Sequence, residues 1–426
     1  MSHIKELLEK NRQLSGWKIN ETATQSYELF FVHQKLETVR STDTADTQVT
    51  VYVDHDGKKG DSSFPVYASM SEEEIEKKIE AAVHRAQLVY NDPYELPVGG
   101  GLQAELPTNM KDCDPKTLAA QIADAVFAAD KAEGASINAC EIFLYRDTVH
   151  VMNSRGIDKT QHKYRVMIEA IPTFTEGQES VELYEDYRFT EFDPQRVTAE
   201  IAEKMAEVRD RFTAQKPSTP MEINVLLRPQ EIRELLCTLA DDADYQAVYS
   251  HANLHKIGDD LQTESKGDKL TFSLKAILPG SERSTFFDAD GCALRDTCIV
   301  KDGIVENNYG SYRFGQYLGI KEPSGDLPYC ISAAPGTLTD EEIRQEPYIE
   351  CASMSGIQVD LYNDYIGGEI RLAYYFDGEK TLPVTGISMS GKLSRVLSAM
   401  RLSNRAVTEG AYEGPACLLM PGISVL

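Results

Sequence analysis

Hydrophobic and polar residues alternate along the chain with two different periods. Ile4, Leu7, Leu8 and Leu14 keep a helical spacing, which predicts an amphipathic helix over about residues 3–14. The period then shortens to two. Tyr27, Leu29 and Phe31, and further on Val49, Val51 and Val53, alternate with polar residues as half-buried antiparallel strands do, and Asp56-Gly57 supplies hairpin turn chemistry before a third run ending Phe64-Pro65-Val66. Helical spacing returns after Ser71. That residue is placed to cap a helix whose first turn carries Glu72, Glu73 and Glu74 and whose buried stripe is Ile75, Ile79, Ala82, Val83 and Ala86.

Residues 91–112 (NDPYELPVGGGLQAELPTNMKD) lose all periodicity and are rich in Pro and Gly, the pattern of a linker or surface loop. Within them Gly99-Gly100-Gly101 opens no helix that could cradle a phosphate, so it is expected to be flexible loop. A second block then repeats the first. It has a helix over about 115–133, strand runs in CEIFLYRDTVHVMNSRG, KYRVMIEAIPTFTEG and SVELYEDYRF, and a helix over about 194–213. The segment QKPSTP at 215–220 marks a domain boundary. Beyond it come a strand (MEINVLLRP), a long helical stretch from Pro229 to about Leu261, and strand-dense sequence with turns at DADG, VKDG, YIGG and YFDG, interrupted by a helix at about 391–403. The predicted fold class is α+β: a two-part amino-terminal region over 1–214, with blocks at about 1–90 and 113–214, and a strand-rich, mostly antiparallel carboxy-terminal domain with few helices over 221–426.

Composition narrows the partners. The 426 residues include 43 Lys and Arg against 68 Asp and Glu, a formal net charge of −25, and no basic stripe. Phosphate neutralisation needs clustered cations, so direct nucleic-acid binding is not expected. No apolar run is long enough to span a bilayer, and MSHIKELLEKNRQ lacks a signal-peptide core, so a cytoplasmic protein without membrane contact is expected. The eight cysteines include no CxxC pair, which points to reduced thiols; Cys292 and Cys298, the closest two, flank what reads as a strand pair.

One constellation could carry chemistry. In Ser250-His251-Ala252-Asn253-Leu254-His255 the two histidines stand four apart, a spacing that puts both on one face of a helix and could clamp a metal. A hydrolytic site needs a third ligand and a base, and no Glu adjoins either histidine. Asp259, or the cluster Asp241, Asp242 and Asp244, could supply a carboxylate; the alternative is that both histidines are ordinary helix-surface or core-edge residues. No GxSxG elbow is present.

Taken in order, LETVRSTDTADTQVTVYVDHDGKKG, SEEEIEKKIEAAVHRAQ, NSRG at 153–156, MEINVLLRPQEIRELL, FDADGCALRDTCIVKDGIVENNYGSYRFGQYLG, APGTLTDEEI and IGGEIRLAYYFDGEKTLPVTGISMSGKLSRVL resemble the TldD/PmbA family, the TldD/TldE or modulator-of-gyrase family of zinc metalloproteases, over essentially the whole chain. In the TldD branch a helical HExxxH supplies two zinc ligands and the base, with a cysteine near the carboxy terminus as third ligand. Here Ser250 falls at the first His, His251 at the Glu and His255 at the second His, while MRLSNRAVT, where the cysteine is expected, has none; Cys417 lies further on. The sequence therefore resembles the TldE/PmbA branch. Ser332 in CISAAPG also stands near a position where the family often has Asn.

The resemblance implies that TldD and TldE chains pair through their carboxy-terminal domains around one zinc site in a chamber that admits unfolded peptide. Extended peptide can add to a sheet edge through its backbone, whatever its sequence. For this chain the implied role is a subunit without catalytic residues or cofactor of its own, paired with a TldD-like, zinc-holding HExxxH subunit, or homodimeric in isolation. Two alternatives stay open: a self-sufficient metallopeptidase using His251 and His255, and a regulatory interaction protein with no proteolytic role.

Overall fold

The computed structural model describes residues 2–426. In the amino-terminal half the order is α1 (Ser2–Lys10), β1 (Gly16–Val32), β2 (Lys35–His55), β3 (Lys58–Val66), α2 (Glu72–Ala86), β4 (Gly101–Glu105), α3 (Pro115–Ala128), β5 (Ala135–Asn153), β6 (Asp158–Glu176), β7 (Glu179–Glu182), β8 (Glu185–Phe189) and α4 (Pro194–Thr213). The two helix-and-strand blocks do not make separate sheets. Their strands join in one eight-stranded sheet ordered β3-β2-β1-β5-β6-β4, with β7 and β8 paired to the far end of β6. The stretch expected to be a loop is partly strand, since β4 runs parallel to β6. Gly99 is closely packed: a Cβ there would lie 2.5 Å from the Ile157 side chain. The first helix stops at Lys10, because the Asn11 side chain accepts the Gln13 N–H and competes with the helical ladder.

All four helices cover one face of this sheet, at opposite ends of its long strands. Near one end Ile19, Val49, Val51 and Met152 pack under α1 and α2; near the other Leu29, Ile142, Leu144 and Ile168 pack under α3 and α4. Side chains two residues apart share a face, so the middle of these strands presents a row that neither helix pair covers. The opposite face receives the carboxy-terminal half. Lys18 pairs with Asp290, the Gln161 amide bridges Thr285 and the Phe286 N–H, Lys163 donates to the Glu282 carbonyl, and Phe287 packs on Val151 and Ile157.

The carboxy-terminal half comprises β9 (Met221–Leu227), α5 (Pro229–Asp241), α6 (Tyr245–Tyr249), β10 (Phe272–Lys275), β11 (Thr297–Lys301), β12 (Ile304–Val305), α7 (Tyr312–Tyr317), β13 (Cys330–Ala333), α8 (Asp340–Ile343), β14 (Tyr348–Asp360), β15 (Tyr365–Phe376), β16 (Thr381–Val384), β17 (Ile387–Gly391), α9 (Leu393–Ala399), β18 (Arg401–Leu402), β19 (Ala406–Glu409), β20 (Tyr412–Pro415) and β21 (Leu418–Val425). They form a six-stranded sheet, β12-β11-β10-β13-β20-β19, and a seven-stranded sheet along β14-β9-β21-β17-β15-β16 with β18 on β21. Pairing is antiparallel except at β13–β20 and β9–β14. Helix α5 contributes Ile232, Leu235, Leu236 and Leu239 to a core shared with residues of both sheets, including Phe272, Ile331, Ile349 and Leu418. The α+β, strand-rich class stands as predicted. Cys292 and Cys298 do not sit on paired strands: Cys298 is on β11, whose partners are β10 and β12. All eight cysteines are free. Among the described residues, no helix is long and apolar enough to cross a membrane.

Candidate functional site

The long helix expected from Pro229 to about Leu261 is broken twice. It ends at Asp241, resumes at Tyr245 with Asp244 as a new cap whose carboxylate accepts the Gln246 N–H, and closes at Tyr249. Ser250 is the C-cap. His251 follows in the left-handed region at φ 56°. Its N–H reaches the Val248 carbonyl at 3.2 Å while the Ala252 N–H reaches the Ala247 carbonyl at 2.8 Å, the paired bonds of a Schellman stop. His251 and His255 therefore do not share a helix face, which corrects the expectation from their spacing.

Each side chain of the segment has another engagement. The Ser250 hydroxyl donates to the Gln246 carbonyl at 2.7 Å. The Asp242 carboxylate accepts the N–H groups of Leu254 and His255 and lies 2.9 Å from His255 Nδ1, so it ties the loop back to the end of α5. Burial pushes the Asp242 carboxyl up, but these hydrogen bonds outweigh it and hold the group below the usual carboxylate range. Asp241 instead accepts the Tyr329 hydroxyl, and burial raises its pKa. Asp259 accepts the Lys256 N–H across a turn. The acidic cluster thus divides into three structural tasks. Behind His255 the cavity is about 10 Å³, the limit of a single water molecule, so no peptide enters there.

These donors do not fit a zinc ion. One is a hydroxyl already used on the helix and one a histidine in a left-handed turn, so His255, whose Nδ1 faces a carboxylate as in many metal sites, has no second ligand from this segment beside it. Among the described residues no three His, Cys, Asp or Glu side chains converge as a ligand set. Cys417 is buried in another cluster with Leu226, Ile343, Tyr348 and Leu419, where burial raises its thiol to about 11.

The surroundings are aromatic and cross between the halves. Tyr249 on α6 packs at a tilt against Tyr317 at 4.9 Å and Phe314 at 5.7 Å on α7; Asp92 accepts the Tyr249 hydroxyl through its side chain and the Tyr317 hydroxyl through its carbonyl. Tyr362, in the turn between β14 and β15, donates to the Ala252 carbonyl. Leu254, Ile257 and Tyr362 are 46%, 59% and 68% exposed, so this loop and turn present an apolar surface to solvent. Sequence periodicity gives no sign of that surface, since its members come from a loop and a distant turn.

A second concavity lies in the uncovered middle of the amino-terminal sheet. It has a volume of about 470 Å³ and opens between that sheet and the start of α3. Alternation along single strands does not disclose it, because it is made by cross-strand register.

Comparison with known proteins places the chain. Residues 220–425 match the PmbA/TldA metallopeptidase C-terminal domain. Over its whole length the chain is similar to the crystal structure of TldE from Thermococcus kodakarensis, with TM-score 0.80 at 15% identity and 99% of each chain covered. It is also similar to a putative modulator of a DNA gyrase from Thermotoga maritima (TM-score 0.76, 14% identity, 100% of each chain) and to one from Bacteroides thetaiotaomicron (TM-score 0.78, 14% identity, 100% of this chain and 97% of that one). No curated protein matches it. The strand-rich half that carries α6 and the Ser250–His255 loop is thus similar throughout to the PmbA/TldA metallopeptidase C-terminal domain, and the full chain has the fold of TldE.

Proposed function

We propose that this chain is the metal-free member of a two-subunit, TldD/TldE-type cytoplasmic metallopeptidase. It forms chamber wall and peptide contacts while a TldD-like partner holds zinc in an HExxxH helix. The observation that carries this reading is the Schellman stop at His251: where the partner needs a continuous helix to aim two histidines and a glutamate at one ion, this chain ends the helix and locks His255 onto Asp242. The exposed Leu254, Ile257 and Tyr362 favour pairing through the same half, because apolar surface on a loop gains most when a partner covers it.

Metal analysis and peptide cleavage test the proposal together. The purified chain alone is expected to hold no stoichiometric zinc and to leave an unfolded peptide intact, and cleavage should appear when an HExxxH-bearing TldD-like chain is added. Ile257→Asp should weaken that pairing without unfolding the chain. Stoichiometric zinc and cleavage by the lone chain, both lost in His255→Ala, would instead establish a self-sufficient metallopeptidase.

A further inference from the structure

The concavity on the amino-terminal sheet has an ordered charge pattern. Cross-strand register sets Asp43 on β2 opposite Gln25 on β1, Gln25 opposite Arg146 on β5, and Arg146 opposite Tyr164 on β6. The next row on the same face is Ser41, Tyr27, Leu144 and Val166. The upper row thus has an anion at one end and a cation two strands away, about 10 Å across. The lower row is mostly apolar, and Leu118 and Met110 extend it toward α3.

Among the described residues Arg146 and Asp43 lie in no ion pair, although the neighbouring cations are all taken: Lys111 by Glu105 at 2.7 Å, and Arg165 by Asp147 at 2.6 Å on the sheet's other face. The Arg146 guanidinium is held 5.5 Å over the Tyr164 ring, which fixes its direction while leaving its N–H groups available. Asp43 makes only a 3.3 Å contact with the Gln25 amide.

We propose that this concavity binds a short zwitterionic peptide, its amino group at Asp43, its carboxylate at Arg146 and an apolar side chain on Tyr27, Leu144 and Leu118. The length follows from the charge separation. An extended chain spans about 3.3–3.6 Å per residue, so about two or three residues bridge about 10 Å. The 470 Å³ volume lies within the range of about 300–1,000 Å³ usual for small-ligand sites. The inference stands on this concavity alone and needs neither zinc nor a partner subunit, so its failure would leave the subunit proposal intact.

Titration calorimetry of the full chain with L-phenylalanyl-L-leucine tests it. Saturable binding is expected, weakened about tenfold or more by acetylating the amino group, by amidating the carboxylate, and by Arg146→Gln or Asp43→Asn, since each removes one charge-assisted contact. Arg146 and Asp43 are exposed, so both variants should keep the wild-type melting temperature, and the capped peptides test the same contacts on unaltered protein. Cys113, an exposed thiol lining the concavity, gives a second readout: the dipeptide should slow its alkylation by iodoacetamide. Absence of both heat and Cys113 protection up to about 10 mM dipeptide would overturn the proposal. Equal affinity for free and capped peptides would overturn it too, by reducing the concavity to an unselective apolar surface.

Discussion

At the scale of single residues, the most consequential ionisable group outside the Ser250–His255 loop is Glu231, 8% exposed on the first turn of α5. Burial pushes its carboxyl up to about 7; Glu234 adds to the rise, while its own N–H, Arg228 and Lys204 oppose it. The unfolded chain releases this proton near the ordinary value of 4.5 and the folded chain near 7. Between those values the folded state binds more protons, so this group's contribution to stability falls as pH rises through the interval and is flat above it. Asp288, raised to about 6 by burial and by Asp290, acts in the same direction over a narrower interval. Glu231→Gln removes the charging cost. Urea denaturation should find variant and wild type equally stable near pH 4.5 and the variant more stable by about 3 kcal/mol at pH 8. An equal stability difference at both pH values would refer the effect to packing rather than to the proton.

At the scale of elements, legibility in the sequence follows how local the determining interactions are. Helix α2 was readable from end to end because its signals are adjacent: Ser71 accepts the Glu74 N–H, and the Glu74 carboxylate returns to the Ser71 N–H. Ser71→Ala should therefore cost about 1 kcal/mol in thermal or urea unfolding, and Ser71→Asp should recover most of it. Strand runs 27–31 and 49–53 were readable from their period of two, and the Asp56-Gly57 turn from its composition, both residues having positive φ. The stop at His251 was not readable, because helices usually take Gly at that position and here a histidine adopts it. What compensates is Asp242, whose carboxylate gathers the N–H groups of Leu254 and His255 from across the loop. The DDAD run contained the clue, since a capping aspartate at 244 restarts a helix and so implies that one has ended. Strand β4 escaped for a different reason: five residues amid Gly and Pro carry no periodicity, and their place comes from pairing with β6. The Asp43-Gln25-Arg146-Tyr164 row is the extreme case, with its members drawn from four strands.

At the scale of the whole molecule, the two halves are joined by a polar network centred on Arg228, at the junction of β9 and α5. Its guanidinium donates to Glu207 on α4 at 2.6 Å and to Glu350 on β14 at 3.3 Å, while Lys204 holds Glu207 at 2.8 Å and Arg344 holds Glu350 at 3.1 Å. Glu207 is 2% exposed, so its charge depends on these partners rather than on water. Burial pulls the Arg228 pKa down, but Glu207 and Glu350 more than offset it, and the cation persists throughout the accessible pH range. An intact buried network of this kind adds little over apolar packing, whereas removing one member strands a charge and costs about 3–5 kcal/mol. Arg228→Met should incur that loss, and because α4 belongs to one half and β14 to the other, it should also uncouple them: calorimetry is expected to resolve two unfolding transitions where the wild type shows one. Adding Glu207→Gln to the variant should restore part of the stability, since Glu207, left with Lys204 as its one cation, is then neutral, but not the coupling, since no cation remains to link α4 with β14. A single transition in the Arg228→Met chain would assign the coupling instead to the back-face contacts of Gln161, Lys163 and Phe287, which do not involve Arg228.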